Sequence, residues 1–318
     1  MKLADRQTAA DVMMIRPVAF TGNPQTQPSN AFQQLDSESG RVDAATQAAA
    51  LREFAGLVSA LEKAGVTVHV FDDTPAPHTP DSIFPNNWVS FHADGTVVLY
   101  PMLAENRRLE RRLDLLEALS ARHGFHASRI IDLTRHEQAG RYLEGTGSLV
   151  LDRIHRVAYA CVSPRTDLDV LGDFAQQLDY DIVAFEARDA GGAAIYHTNV
   201  LMSVGERFAA VCLSAIRADE RDGLLNQLRG TGRTVIDLSM DQMNAFAGNM
   251  LELGSSLTGS VVAMSERARD ALSGEQRAAL EGSAGPIVAA AIPTIEKLGG
   301  GSVRCMLAEL HIPKKKRL

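Results

Sequence analysis

The chain has 318 residues, 45% of them hydrophobic and 22% charged, with a formal net charge of −7. This is the composition of a soluble globular protein long enough to bury a large core, and it excludes general nucleic-acid binding, which needs a basic surface. No run approaches the roughly 18 apolar residues of a membrane helix, so no membrane partner is expected, and the first twenty residues carry acids and no signal-like apolar core. Cys161, Cys212 and Cys305 are too few and too widely spaced for a disulfide framework or a structural zinc site. "HGFH" places His123 and His126 three apart with no further ligands nearby. A cytoplasmic protein without metal or cofactor is expected, and a homo-oligomer is compatible with the sequence. The "KKKRL" run at 314–318 reads as a solvated basic tail.

In chain order, the first element is an apolar strand, "VMMIRP", followed by a polar loop. "AATQAAALREFAGLVSALEKAG" then reads as an amphipathic helix and "VTVHVF" as a strand. Four copies of a longer unit follow. Each opens on a strand, starting at Asn87 ("NWVSF"), Gly147 ("GSLVL"), Asn199 ("NVLMS") and Asn249 ("NMLEL"). A polar turn leads to a second strand: "VVLYP", "RVAYA", "FAAVC" and "GSVVAM". The offsets 87 to 99, 147 to 159, 199 to 211 and 249 to 261 are each 12 residues, a hairpin signal repeated four times. A helical pattern comes next. "LAENRRLERRLDLLEALSARHG" sets Leu103, Leu109, Leu113, Leu116 and Leu119 near helical period; "RTDLDVLGDFAQQL", "IRADERDGLLNQLRG" and "SERARDALSGEQRAAL" are the others. Gly124, Gly230 and Gly232 are plausible stops. A third strand closes each unit: "RIIDL", "DIVAF", "TVIDL" and "PIVAAA".

The repeat is therefore β-β-α-β, of a length typical of repeat units. The N-terminal copy lacks a first strand, and the last strand, "CMLAEL" at 305–310, lacks a second. Pairing the two ends completes a fifth unit and removes two exposed sheet edges. The expected architecture is a single α/β domain, 1–318, with five β-β-α-β units arranged as a five-fold pseudosymmetric propeller around a central cavity. A linear array with capping units is the alternative.

In such a ring, equivalent positions face one axis. Cys305, His197, Glu144, Asp81 and Asn87 stand at or just before the mouths of first strands, so they are expected to converge. A cysteine, a histidine and a carboxylate in one cleft are the parts of a thiolate-based covalent site. Gly299–Gly301 lack the Lys-Ser/Thr of a phosphate loop; a plain linker is the bland reading.

With these positions fixed, "PDSIFPNNW" (80–88), "LEGTGS" (143–148), "IYHTNV" (195–200) and "GGGSVRCM" (299–306) resemble, in order, the four site motifs of the pentein, or guanidine-modifying, superfamily. With "IRPVAFTGNPQTQPSNAFQ" at 15–33 the chain is most similar to the subgroup called citrulline utilisation hydrolases, related to arginine deiminases and dimethylarginine dimethylaminohydrolases. The resemblance covers nearly the whole chain. It implies that Cys305 attacks the central carbon of a guanidine or urea, that His197 is general acid and base, and that Glu144 orients His197 or a substrate N–H. A neighbouring imidazolium would favour the thiolate. It also implies an amino-acid substrate held by Asp81 at the ammonium and by Arg107 or Arg108 at the carboxylate. A solvated helix face is the other reading of Arg107. Asn30, with Phe32 and Gln33, lies on a loop able to cover the site.

The departures point to the substrate. Members of the superfamily that take cationic guanidinium groups carry a carboxylate where this chain has Asn87, beside Asn86. Arginine deiminases carry another where it has Asn199. Asparagine offers a donor, an acceptor and no charge, which suits a neutral ureido group. The expected reaction is citrulline to ornithine, ammonia and CO2. Arginine or dimethylarginine hydrolysis, amidino transfer and a non-catalytic binding ring are the rivals.

Overall fold

The computed structural model of the chain describes residues 6–35 and 43–315. Its strands form five three-stranded sheets. The first comprises β1 (Asp11–Arg16) and β2 (Thr67–Asp72); the second β3 (Val89–Phe91), β4 (Thr96–Leu99) and β5 (Arg129–Asp132); the third β6 (Val150–Asp152), β7 (Val157–Cys161) and β8 (Asp181–Phe185). The fourth holds β9 (Met202–Val204), β10 (Phe208–Val211) and β11 (Thr234–Asp237); the fifth β12 (Leu251–Ser255), β13 (Gly259–Ser265) and β14 (Ile287–Ala290). The last strand, β15 (Ala308–Glu309), joins the first sheet, whose order is β15-β1-β2.

Every sheet has one plan. Its middle strand runs antiparallel to the first strand and parallel to the third, as in Val89↔Leu99 and Leu99↔Asp132. A tight hairpin can deliver only an antiparallel neighbour, whereas a helical crossover delivers a parallel one. The chain ends obey the same plan. β1 pairs antiparallel with β15 (Met13↔Ala308) and parallel with β2. The orphan halves seen in the sequence thus complete one unit.

Helices cover the sheets with one apolar face. In Ala44–Lys63, Ala50, Phe54, Leu57 and Leu61 recur at intervals of three and four and pack with Val12 and Met14 of β1. Asp43 caps it, its side chain accepting from the Thr46 amide at 2.8 Å. In Leu168–Leu178 the buried face is Val170, Leu171, Phe174, Ala175 and Leu178, against Ala158 and Ala160 of β7. Each large apolar side chain so buried contributes about 1.5–3 kcal/mol before entropy is counted.

Three expectations are corrected. The first strands start two to three residues later than read: Asn87, Gly147, Asn199 and Cys305 sit instead in single helical turns, Pro85–Asn87, Gly145–Ser148, Thr198–Leu201 and Val303–Met306. The stretch 103–124 is not one helix. A 3-10 segment, Glu105–Glu110, precedes the α-helix Leu113–His123, because Arg107 and Glu110 are drawn into the protein while Leu109 and Leu113 face solvent. "SERARDALSGEQRAAL" is two helices, split where Ser273 and Gln276 form a capping box. In the basic tail, Lys314 bonds Asp11 at 2.7 Å and lies over the Phe125 ring, and the Lys315 amide donates to the Gly124 carbonyl at 2.8 Å; residues 316–318 of that run lie outside the described residues. Among the described residues, no helix is long and apolar enough to cross a membrane.

Candidate active site

The helical turns carry the site. His197 precedes one turn, Glu144 another, and Asn87 and Cys305 lie within theirs. Asp81, Asn87, Arg107, His197 and Cys305 line one cavity, together with Arg165 and Tyr196. The loop residues Thr26 and Asn30 and the three glycines 299–301 complete its wall. The enclosed space is about 10 Å³, room for roughly one water molecule. Admission of an amino acid therefore requires part of the wall to move.

The glycines are close approaches, not a linker. Gly300 has φ +64°, and a Cβ there would stand 2.5 Å from Asn30 Nδ2. A Cβ on Gly147 would stand 2.6 Å from His197 Nδ1 and closer still to Asn87 Nδ2. Gly147 is the spacer that lets these two side chains flank one another.

Glu144 is fully buried, and its Oε2 lies 2.9 Å from His197 Nε2. Its Oε1 accepts from the Leu103 amide at 3.0 Å. Burial pushes its carboxyl up, but Arg165 at 3.3 Å, the His197 hydrogen bond and Arg107 at 3.7 Å outweigh that and hold it below the usual carboxylate range. An ionised carboxylate only accepts, so Nε2 of His197 carries the proton and Nδ1 the lone pair. Burial, opposed by Glu144 and helped by the two guanidiniums, pulls His197 down to about 4. The expected imidazolium is thus absent near neutral pH. Two arginines already compensate Glu144, and a third cation in the same dry space is disfavoured.

Arg107 is buried, not on a solvated face. Its Nε and Nη2 each donate to Glu110 at 3.0 Å, and its Nη1 donates to Asn87 Oδ1 at 2.9 Å. Asp81 lies 3.6 Å away. These partners leave Arg107 less free for a substrate carboxylate than the sequence suggested. Arg108 donates to the Met102 and Leu103 carbonyls outside the cavity wall. The residue that sequence reasoning missed is Arg165, stacked over the Tyr196 ring at 5.0 Å and bonded to Ser29 and to the Thr26 carbonyl of the covering loop. Its signal was positional: like Arg107, it follows the second strand of its unit.

Asp81 Oδ2 accepts from Asn23 and Thr26, while Oδ1 is buried with no partner. Asn87 Nδ2 is likewise buried and unpartnered. Asn30 is brought to the wall, its Nδ2 donating to the Gly300 carbonyl at 3.2 Å. Asn86 and Asn199 are not among the cavity-lining residues. The Asn86 side chain is buried with both polar atoms unpaired. Asn199 donates to the Thr146 carbonyl at 3.1 Å and lies beside Cys305 Sγ at 3.5 Å. It therefore faces the cysteine from behind instead of the substrate space, because the Thr146 carbonyl claims its amide.

The family model "N,N dimethylarginine dimethylhydrolase, eukaryotic" matches residues 16–312. No curated protein matches the chain by sequence. Among solved structures, it is similar to ArgZ, an arginine dihydrolase from the ornithine–ammonia cycle in cyanobacteria, at 18% identity and a TM-score of 0.72 over 96% of this chain and 41% of that one. AgrE in a binary complex with L-arginine gives 17% identity and a TM-score of 0.73, covering 97% and 41%. A dimethylarginine dimethylaminohydrolase adduct with S-methyl-L-thiocitrulline gives 15% and 0.63, covering 95% and 100%. The chain spans about two fifths of the length of ArgZ and AgrE, and 99% of the ArgZ N-terminal domain. A match across residues 16–312 shows that the chain belongs to the N,N dimethylarginine dimethylhydrolase family of the pentein superfamily.

Proposed function

We propose that the chain hydrolyses the ureido group of citrulline, giving ornithine, ammonia and carbon dioxide. The observation that carries this reading is the orientation of Asn87. Arginine is only a donor, so the bond from Arg107 fixes Asn87 Oδ1 toward the guanidinium. What Asn87 then offers beside His197 is an N–H group, buried and unpartnered. A ureido oxygen accepts from such a donor; a guanidinium, which has only N–H, does not. An unpaired buried donor costs about 1–3 kcal/mol, which a carbonyl substrate would recover.

The roles follow from the same geometry. Cys305 Sγ attacks the ureido carbon and its proton passes to Nδ1 of neutral His197. The imidazolium then protonates the nitrogen that leaves. Glu144 stabilises that transient cation through Nε2. A thiocarbamate on Cys305 remains, and water, deprotonated at Nδ1, cleaves its C–S bond and restores the thiol; the carbamate released loses CO2 and frees the second amine, which completes ornithine, ammonia and carbon dioxide. Asp81 Oδ1 takes the α-ammonium, and Arg165 is placed for the α-carboxylate once the loop around Thr26 and Ser29 lifts. Arg107 acts by aiming Asn87. The five matching sheets, with β15 completing the first, support a five-fold pseudosymmetric propeller as the frame.

A second reading has its own observation. Asp81, Glu110 and Glu144 stand around Arg107 and Arg165, a formal excess of one carboxylate. That excess suits a cationic side chain, and ArgZ is named an arginine dihydrolase. In this case arginine enters first and citrulline is its intermediate. Incubating the protein with citrulline, arginine and dimethylarginine separately, and assaying ornithine, citrulline and ammonia, tests both. Ornithine from citrulline alone supports the first reading; ornithine from arginine at higher kcat/KM supports the second; citrulline as the end product from arginine contradicts both.

A further inference from the structure

The proposed mechanism asks the Cys305 thiol to become a thiolate with no cation hydrogen-bonded to Sγ among the described residues; Arg107 and Arg165 line the same cavity and Arg304 adjoins Cys305 in the chain, but none donates to the sulfur. His197 is uncharged at rest, and no hydrogen bond joins it to Cys305 among the described residues. A ureido substrate brings no positive charge either. The attacking sulfur must therefore be stabilised by something else. The groups that reach Sγ are two asparagine amides from different units. Asn249 Nδ2 lies 3.3 Å from it and Asn199 Nδ2 3.5 Å.

The orientation of each amide is fixed by a partner that leaves no choice. Asn249 Oδ1 accepts from the Arg304 backbone N–H at 3.0 Å, so Nδ2 must face the other way. One N–H of Nδ2 goes to the Asn199 carbonyl at 3.0 Å, and the second is left for Sγ. Asn199 Nδ2 gives one N–H to the Thr146 carbonyl and its second faces Sγ at 3.5 Å, while its Oδ1, 3.8 Å from Sγ, accepts from the S–H of the neutral thiol; Asn249 is therefore the amide that only donates to the sulfur. Both residues are buried, so these donors meet no water. Asn249 stands in the fourth unit at the place Asn199 occupies in the third, which is why the pentein-like repeat brings both amides to one sulfur.

We propose that Asn249, together with Asn199, holds the Cys305 thiolate by donating amide N–H bonds to Sγ, and that this cradle replaces the imidazolium as the source of nucleophilicity. The step moves only a proton: the S–H proton leaves for His197 Nδ1 and the charge left on sulfur is shared with two N–H dipoles. Charged and titratable neighbours also bear on the sulfur. They are Asp81, Arg107, Arg165, Tyr196 and His197 around the cavity, with Arg304 next in the chain, and none of them changes in the variants below.

The inference rests on Cys305 being the nucleophile, yet its test needs no substrate. Thiolate absorbance in the ultraviolet is titrated in the wild type and in Asn249→Asp and Asn249→Leu, each minus its Cys305→Ser counterpart. Asn249→Asp keeps the shape and the acceptor for Arg304 N–H but puts an acceptor on Sγ; Asn249→Leu removes all polar function. The midpoint is expected to rise by about one to two pH units in both, and more in Asn249→Asp. An unchanged midpoint in Asn249→Asp, folded by circular dichroism, overturns the cradle even if citrulline is turned over. A raised midpoint with no turnover of any substrate keeps the cradle and rejects the proposed reaction.

Discussion

With Oδ1 tied to Arg107, Asn87 offers the cavity only N–H, and under the proposed reading substrate choice turns on this residue. Asn87→Asp would replace that donor with a charged acceptor. The account predicts a rise of about tenfold or more in kcat/KM for arginine relative to citrulline, read from competing turnover of the two. Removing the nucleophile with Cys305→Ala should cost about a thousandfold or more in kcat. The buried His197 makes a separate prediction about pH. Its folded value is depressed to about 4, so between about pH 6.5 and 4 the unfolded chain binds the extra proton. Stability should therefore fall as pH drops through that window and be flat in this respect above it. Glu144, held low by its guanidinium partners, adds a further loss below the ordinary carboxylate range. Urea midpoints across the acid limb check this, and His197→Gln should reduce the loss between about 6.5 and 4 by His197's share, leaving that of His92, which burial also holds low. Cys305, His197, Glu144 and Asp81 were legible in the sequence because their motifs are local. Arg165 was not, and Asn249 was legible only as a repeated strand-mouth position. Their partners lie 21 and 56 residues away; the repeat puts Asn249 at a strand mouth facing the same axis as Cys305 and Arg165 after its unit's second strand, but position alone does not show which side chain turns to which atom.

At the scale of elements, hydrophobic runs found the strands but misplaced their starts. A strand of three residues, such as β3 or β6, carries too little alternation to separate it from the helical turn before it. That turn carries the proposed chemistry, because it aims Asn87, His197 and Cys305 at one cavity while the strand beyond anchors it. Gly147 is a close approach between side chains in this arrangement. Gly147→Ala should cost activity far more than stability, since the added methyl meets the tips of His197 and Asn87. A drop in kcat of about a hundredfold, with thermal midpoint lowered only modestly, is expected; unchanged kcat contradicts the packing described. The helix expected over 103–124 failed for a related reason. Leucine period argued for one helix, but the inward pull of Arg107 and Glu110 set the backbone.

For the whole molecule, the sequence repeat was the most informative single feature, since it foretold five like sheets and the pairing of the two chain ends. That pairing also positions the proposed nucleophile. Cys305 lies two residues before Leu307, from which β15 runs beside β1, and the Leu310 amide donates to the Asp11 carbonyl at 3.0 Å. Truncation after Leu307 should therefore remove both the cooperative thermal transition and the activity, although every proposed catalytic residue is retained; calorimetry beside an ornithine assay measures this. The central claim is that a neutral ureido group, met by Asn87 Nδ2, is what Cys305 attacks. The most direct test is the ratio of kcat/KM for citrulline to that for arginine, measured as ornithine release by the wild-type protein. A ratio well above one, lost in Asn87→Asp, is the predicted result; a ratio below one that Asn87→Asp leaves unchanged would contradict it.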